Sequence, residues 1–390
     1  LDICIAGTGL PQLWRDEALV GLLRSEACER LLSRYETELW SDNSLLRRVV
    51  HMLRVACKGP KNSIPEGVGN TEGAKEAHAR LSMTQPVGRA WHRVVKLIHD
   101  NRTRLAEADW VWLAALLEDV CQGSHELPES TEMMGLVFDL AQHFLQLHDD
   151  DWYRDEGLPK RYFELITNTV GGAPDKAAAY FRQLQDDLTS EEQTQHRRAE
   201  EKLEFALDFL HSGQLAYFLP EVLCAVANRV CLKDPSEARR RGRDGHELYE
   251  HEAQLGLRHF GSQNFFPAGS LQGPFRYLLH YHFPYGLRLA IDMANAAASF
   301  LALAAPNEVE RVAPDQSPNG HEHIHSSMLW LAYRGISVTA DTLASALMAL
   351  EERLLQAAGA GQRISSSLEA LLAEGTSSLT TSVVASIVTA

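Results

Sequence analysis

The stretch Gly261–Phe300 reads GSQNFFPAGSLQGPFRYLLHYHFPYGLRLAIDMANAAASF, and the expected fold follows from it. It contains two turns rich in helix-breaking residues, Pro267–Gly269 and Phe283–Gly286, each followed by an amphipathic run. Pro274 fits the opening turn of the first run, where a backbone N–H would have no intrahelical partner. Apolar residues recur at helical spacing in the second run, at Leu287, Ile291, Ala294, Ala298 and Leu301. The stretch therefore predicts two helices joined by a tight turn.

Aromatic side chains crowd the junction between these two predicted helices. They are Phe265, Phe266, Phe275, Tyr277, Tyr281, Phe283 and Tyr285. Because large aromatic side chains dominate the energetics of cores and interfaces, we assign Phe265, Phe266, Phe275 and Tyr281 a packing or interaction role. In the packing interpretation the phenylalanines lock successive helices together. In the alternative, the junction is an exposed recognition surface.

Helical periodicity continues through most of the remaining chain. Predicted buried faces include Leu46–Cys57, Val87–Ile98, Leu113–Val120, Met133–Leu147 and Leu203–Leu210. The predicted helices are separated by short polar or Pro/Gly segments and show no fixed repeat length. We therefore predict an all-α fold, an irregular array of stacked helix pairs resembling an α-solenoid.

One segment departs from the helical pattern, between residues 307 and 327. Asn319–Gly320 is a hairpin-type turn signal, and the flanking segments Val309–Val312 and His321–His325 are predicted to pair as short strands. The helix that follows should begin near Asp341 and end at Gly359 and Gly361.

Composition bounds the class of protein. The chain has 390 residues, 45% of them hydrophobic and 23% charged, which is typical of a globular protein. Its formal net charge of −15 argues against general binding to nucleic acid or an anionic membrane. The six cysteines form no CxxC pair and are interpreted as reduced thiols of a cytoplasmic protein. No uninterrupted apolar stretch long enough for a membrane span is found, so no membrane association is expected.

The sequence also suggests an organisation in two sections. The arginine-rich segment 234–245 is predicted to connect an N-terminal helical section, 1–233, to a C-terminal section with the hairpin, 246–390. The chain starts at Leu1 without a signal-peptide pattern and ends within an apolar run. We interpret it as an internal fragment of a longer protein.

Three runs, within roughly residues 258–390, resemble segments of very large bacterial ATP-binding proteins of the STAND type, which are linked to antiviral defence. They are NFFPAGSLQGPFRYLLHYHFPYGLRLAIDMAN at 264–295, LWLAYRGISVTADTLASALMALEERLL at 329–355 and SSLTTSVVASIVTA at 377–390. The resemblance implies a helical region downstream of the nucleotide-binding core, which senses a ligand or transmits a signal. ATP hydrolysis would belong to another part of the polypeptide, so no catalytic residue is carried over.

The chain's own motifs agree with a non-catalytic region that needs no cofactor. Gly67–Lys75 is rich in glycine, but Ala74 separates Gly73 from Lys75, and Glu76 stands where a phosphate loop needs Ser or Thr. We therefore assign no catalytic and no cofactor-binding residue. The expected partners are a second protein or other domains of the same polypeptide, and self-association is compatible with the patterns.

The segment His321–His325 supports an alternative. On a strand, His321, His323 and His325 would point to the same side, and three imidazoles can bind zinc or copper. The chain would then be a metal-dependent enzyme. We favour an exposed, polar hairpin strand without metal, and keep as a third hypothesis a scaffold that binds another protein in a helical groove.

Overall fold

The structure is a computed structural model of the chain and describes residues 89–105, 113, 116–117, 130–146, 158–190, 192–239, 253–258, 268–312, 322–334 and 340–390. The chain divides into two compact units, Leu1–Ala173 and Pro174–Ala390. Thirteen α-helices and one two-stranded sheet occur among the described residues. The predicted all-α fold with a small hairpin is therefore confirmed.

The described part of the first unit is helical. Its elements are α1 (Arg89–Asp100), a 3-10 helix (Arg102–Arg104), α2 (Thr131–Gln146), α3 (Leu158–Thr169) and a second 3-10 helix (Val170–Gly172). Helix α2 packs against both α1 and α3. The apolar faces predicted from periodicity are buried here, with Ile98 of α1 and Val137 of α2 fully covered. Arg102, just after α1, forms an ion pair with Asp139 of α2, and its Nε lies 2.7 Å from Oδ2 of Asp139.

The second unit contains ten helices and the hairpin among its described residues. They are α4 (Pro174–Asp187), α5 (Gln193–Leu207), α6 (Phe209–Phe218), α7 (Pro220–Cys231), a 3-10 helix (Pro235–Arg239), α8 (Phe275–Tyr281), α9 (Phe283–Ala304), a 3-10 helix (Pro306–Glu308), β1 (Glu310–Val312), β2 (His323–His325), α10 (Ser327–Arg334), α11 (Asp341–Gly359), α12 (Ser365–Glu374) and α13 (Ser378–Thr389). Helices adjacent in the chain pack against each other in several pairs, including α4–α5, α6–α7, α8–α9 and α12–α13.

Helix α9 is the centre of the second unit. It contacts α7, α8, α11, α12, α13 and strand β2. Its interior-facing residues follow the predicted spacing, and Ile291, Ala294, Ala298 and Leu301 are all buried. Among the described helices, α9 alone is long and apolar enough to cross a membrane, but 56% of its apolar window is buried inside the fold. This burial accounts for its apolar composition as that of a core helix.

The turn predicted at Phe283–Gly286 is wrong, because these residues form the first turn of α9. The chain breaks one residue earlier, at His282, which ends α8 and precedes α9. Gly286 serves close packing instead. A Cβ at this position would lie 2.8 Å from both the backbone N and the Cγ of Leu279 in α8. Glycine therefore allows the first turn of α9 to lie directly against α8.

A side-chain clamp on α9 holds the link between α12 and α13. Asn295 donates from Nδ2 to the carbonyl of Glu374 at 2.8 Å and accepts at Oδ1 from the N–H of Thr376, also at 2.8 Å. The carbonyl of Thr376 in turn accepts from the N–H of Ile324 in β2 at 2.8 Å. Backbone groups of this link are thus hydrogen-bonded by α9 on one side and by the hairpin on the other.

The hairpin forms as the sequence predicts. Strands β1 and β2 are antiparallel, with Glu310 opposite His325 and Val312 opposite His323. Strand β1 is exposed, whereas His323 and Ile324 of β2 are buried because β2 packs against α9 and α13. The expectation of an exposed polar strand is therefore wrong for His323 and Ile324 of β2.

The predicted connecting loop, 234–245, falls within the second compact unit. Its first part forms the 3-10 helix Pro235–Arg239, which packs against α9, and residues 240–245 lie outside the described residues. The predicted boundary between 1–233 and 246–390 stays a prediction.

The close approach at Gly286 gives a matched pair of variants. Gly286→Ala should lower the free energy of unfolding by about 1–3 kcal/mol, because an overpacked side chain must displace its neighbours. Gly359→Ala, at the end of α11, is the control, since an added Cβ there would meet nothing within 4 Å. It should change stability little, or raise it by up to about 1 kcal/mol. Urea unfolding of both variants checks this, and equal stabilities would contradict it.

Phe275 tests the packing role assigned from the sequence. Its side chain is only 2% exposed, so Phe275→Ala should cost about 3–5 kcal/mol through lost burial and the cavity left behind. Trp330→Ala is the control, because Trp330 is 62% exposed and surface changes usually stay within about ±0.5 kcal/mol. A Phe275→Ala protein of unchanged unfolding midpoint would disprove the packing role.

Candidate interaction surface

Helices α6, α8 and α9 bring a group of aromatic side chains together at one surface. The group, called the aromatic surface below, comprises Phe209, Tyr217 and Phe218 of α6, Tyr277 and Tyr281 of α8, His282 at the joint and Tyr285 of α9. Helix α8 packs against both α6 and α9. The surface is therefore built across the joint where α8 ends and α9 begins.

One row of the aromatic surface consists of parallel rings. Tyr277 stacks on Phe209 with ring centroids 4.7 Å apart and planes inclined by 21°. Tyr281 continues the row at 6.2 Å from Tyr277, with planes inclined by only 3°. These two tyrosines lie four residues apart on α8 and so share a helix face. Gly213 lies between Phe209 and Tyr217 on α6, and a Cβ there would contact the Tyr277 ring at 3.4 Å.

Tyr217 connects the row to the joint. Its ring meets Tyr281 edge to face, with centroids 5.3 Å apart and planes inclined by 85°. Its backbone carbonyl lies 2.8 Å from Nε2 of His282. Since a carbonyl only accepts, Nε2 must carry the proton and donate this bond. The bond ties the end of α6 to the joint between α8 and α9 and fixes the tautomer of the imidazole.

Three of the four tyrosines of this surface are exposed although their rings contact other rings of the group, and Tyr277 is half-buried. Tyr217 is 54% exposed, Tyr281 44% and Tyr285 40%. An exposed tyrosine presents a large apolar ring and a hydroxyl group, and such residues are enriched among the residues that dominate binding energy. The ring contacts and the His282 bond hold the side chains in place before any ligand arrives. This arrangement suits binding better than it suits chemistry.

The residues assigned from sequence lie in different environments. Tyr281 belongs to the aromatic surface, whereas Phe275 is buried beneath it in α8. Phe265 and Phe266 lie outside the described residues. Sequence reasoning did not connect Tyr217 with this site. The available signal was the run FLHSGQLAYF, which places aromatic residues eight apart on one helix face with a glycine halfway between them.

The predicted histidine cluster is described only in part. His323 is buried and His325 half-buried, and both lie on β2, while His321 is outside the described residues. No group of three or more His, Cys, Asp or Glu side chains placed to hold a metal occurs within the part of the chain that the structure describes. The metal hypothesis for the three histidines stays untested. The glycine-rich segment Gly67–Lys75 also lies outside the described ranges.

A polar cluster without a sequence signal lies where α4 and α5 meet. The Ser190 hydroxyl donates to Oε1 of Gln195 at 2.9 Å, and Nε2 of Gln195 donates to Oδ1 of Asp187 at 2.8 Å. Lys202 of α5 is only 2% exposed. Burial, reinforced by the nearby Arg198, lowers the pKa of the Lys202 ammonium to about 7.

Burial also shifts the pKa values of Glu204 and Cys224 in the second unit. Burial and the neighbouring carboxylates of Glu200 and Glu201 raise the pKa of Glu204 to about 7. Burial, with Asp292 and Glu221 nearby, raises the pKa of the Cys224 thiol to about 12. Because the thiolate is the nucleophile, the raised pKa of Cys224 disfavours a nucleophilic role at neutral pH.

Neither the protein-family models nor the curated proteins gave a match to the chain.

Lys202 gives a pH prediction with a definite sign. The folded pKa of about 7 lies below the ordinary value of 10.5, so between these pH values the unfolded chain binds more protons. The contribution of Lys202 to stability is therefore present above pH 10.5, and is lost as pH falls through about 7. Lys202→Met should be more stable than the parent at pH 7. Between pH 7 and 9 the free energy of unfolding of the parent should rise with pH, and in the variant this slope should be smaller by up to about 1.4 kcal/mol per pH unit.

Urea unfolding at several pH values measures this slope. Lys176→Met on α4 is the control, because Lys176 is exposed and its substitution leaves the buried cluster intact. An unchanged slope in Lys202→Met would show that folding does not lower the pKa of Lys202. A loss of stability at pH 7 would show that the buried lysine is not destabilising.

Proposed function

We propose that this chain is a non-catalytic helical interaction region, which binds a protein partner through the aromatic surface. The observation that carries the proposal is the exposure of Tyr217, Tyr281 and Tyr285 within a set of rings fixed by mutual contacts. Tyrosine has only two side-chain torsions, so little conformational entropy is lost when it enters an interface. Rings that are already held in place reduce that loss further.

The placement of the surface favours signal transmission as well as binding. His282 belongs to the surface and also separates α8 from α9, the central helix of the second unit. A partner that moves Tyr217 or Tyr281 would therefore act on the joint through the bond from His282 to the Tyr217 carbonyl. In this proposal the aromatic surface is the sensing element and α9 carries the change into the helical core.

The sequence resemblance supports a broader proposal about the parent protein. The three similar runs occur in order over roughly residues 258–390, and they suggest a region of a large bacterial STAND-type ATPase of antiviral defence. ATP binding and hydrolysis would then belong to another part of the polypeptide. The parent protein would be cytoplasmic. The partner would be a separate protein or another domain of the same polypeptide.

Site-specific photocrosslinking in bacterial cells tests the interaction role. A photoreactive phenylalanine analogue at Tyr281 should give a reproducible crosslink to one protein. The same analogue at Trp330, which is exposed on α10, is the control and should not give that crosslink. The purified partner should then bind Tyr217→Ala at least about tenfold more weakly than the parent chain, the loss expected for a residue central to an interface.

Two outcomes would contradict the proposal. Crosslinks of equal yield from Tyr281 and Trp330 would mean that the aromatic surface has no special role. Unchanged affinity of Tyr217→Ala for the purified partner, in a variant with the parent's circular dichroism, would mean the same.

A further inference from the structure

We propose that the partner segment bound by the aromatic surface is basic, and that its arginine or lysine side chains lie over the tyrosine rings. This inference rests on the proposed function and specifies the chemistry of the partner. Cations are attracted to the electron-rich faces of aromatic rings, and arginine and tyrosine are both enriched at protein interfaces.

The rings of the aromatic surface are oriented in more than one direction. Tyr217 and Tyr281 meet at 85°, and His282 and Tyr285 at 86°. Tyr217 is 54% exposed and Tyr281 44% exposed despite their ring contacts. In the proposed complex, cationic side chains of one extended segment lie over these two exposed tyrosines.

The charges beside the surface favour the same kind of ligand. The Cys224 thiol donates to the carbonyl of Tyr285 at 3.7 Å, and the carboxylates of Glu221 and Asp292 lie close enough to contribute to the raised pKa of this thiol. Glu221 is exposed, and it forms no ion pair with another residue that the structure describes. Asp292 is paired with Arg288, Nε to Oδ1 2.9 Å.

Two nearby arginines are themselves paired with carboxylates. Arg288 is held between Asp292 and Glu374, and Arg276 faces Glu352 at 3.8 Å. Among the residues that the structure describes, the carboxylate of Glu221 thus has no ion-pair partner, in a chain whose formal net charge is −15. A nucleic acid would bring its phosphates against this charge, whereas a basic peptide is attracted to it.

Fluorescence anisotropy with synthetic peptides tests the inference. The probe is a labelled peptide of about 12 residues with alternating arginine and serine, and the control peptide carries citrulline, which is neutral and similar in shape, in place of arginine. The arginine peptide should bind at least about tenfold more tightly than the citrulline peptide. The double variant Tyr217→Leu with Tyr281→Leu should lose about tenfold of that affinity, and Tyr281→Phe should keep it because the ring remains.

These variants distinguish binding to the tyrosine rings from general attraction of a basic peptide to an acidic protein, because replacing tyrosine with leucine leaves the net charge unchanged. Trp330→Leu is the matched control and should bind like the parent. Glu221→Gln should weaken binding about twofold to fivefold and reduce its dependence on salt between about 50 and 200 mM. Circular dichroism of each variant verifies that it remains folded.

Each remaining result decides against the inference. Binding of the arginine peptide that is insensitive to the double variant would show attraction by net charge alone. Equal binding of the citrulline peptide, or tighter binding of a proline-rich peptide of the same length, would show that the surface does not select cations. If the Tyr281 crosslink is nevertheless found, the proposed function stands and only the basic chemistry fails. If the crosslink is also missing, both fail.

Discussion

The second unit depends on the burial of α9. This helix is apolar around much of its surface, and it is stable only where other elements remove that surface from water. Helices α7, α8, α11, α12 and α13 and strand β2 supply the cover. Where a polar residue of α9 faces a neighbour, it makes bonds that fix the neighbour's position: Asn295 holds the link between α12 and α13 at both Glu374 and Thr376. Hydrophobic burial and a few directional bonds together determine the arrangement.

The aromatic surface is a consequence of the same packing. Gly286 allows α9 to begin directly against α8, and the joint at His282 then comes within reach of the carbonyl of Tyr217 on α6. The rings of α8 that do not face the core remain outside, in contact with those of α6. Phe275 and Tyr281 belong to the same short helix, yet one is buried and the other is exposed. The buried core and the aromatic surface thus involve different faces of α8.

In the cluster around Lys202, the cost of burying a charged group acts against folding, and hydrogen bonds order the neighbouring loop. A lysine that is almost completely removed from water is destabilising in its charged form, and its pKa falls accordingly. The Ser190–Gln195–Asp187 hydrogen bonds order the loop between α4 and α5 beside it. Helix α5, which carries Lys202 and Gln195, packs directly against α6, the helix that carries Tyr217.

Local pattern determined the helical class, the core faces of α2, α9 and α11, and the pairing of β1 with β2, because periodicity and turn residues act over a few neighbouring positions. The start of α9 was misjudged, since proline and glycine in its first turn resemble a separate turn until the packing of Gly286 on Leu279 is known. The sequence named Tyr281 but could not join it to Tyr217, 64 residues earlier. Only the tertiary structure brings α6 against α8. This contact depends on which helix faces are still uncovered once other elements have buried α9, and no local sequence pattern contains that information.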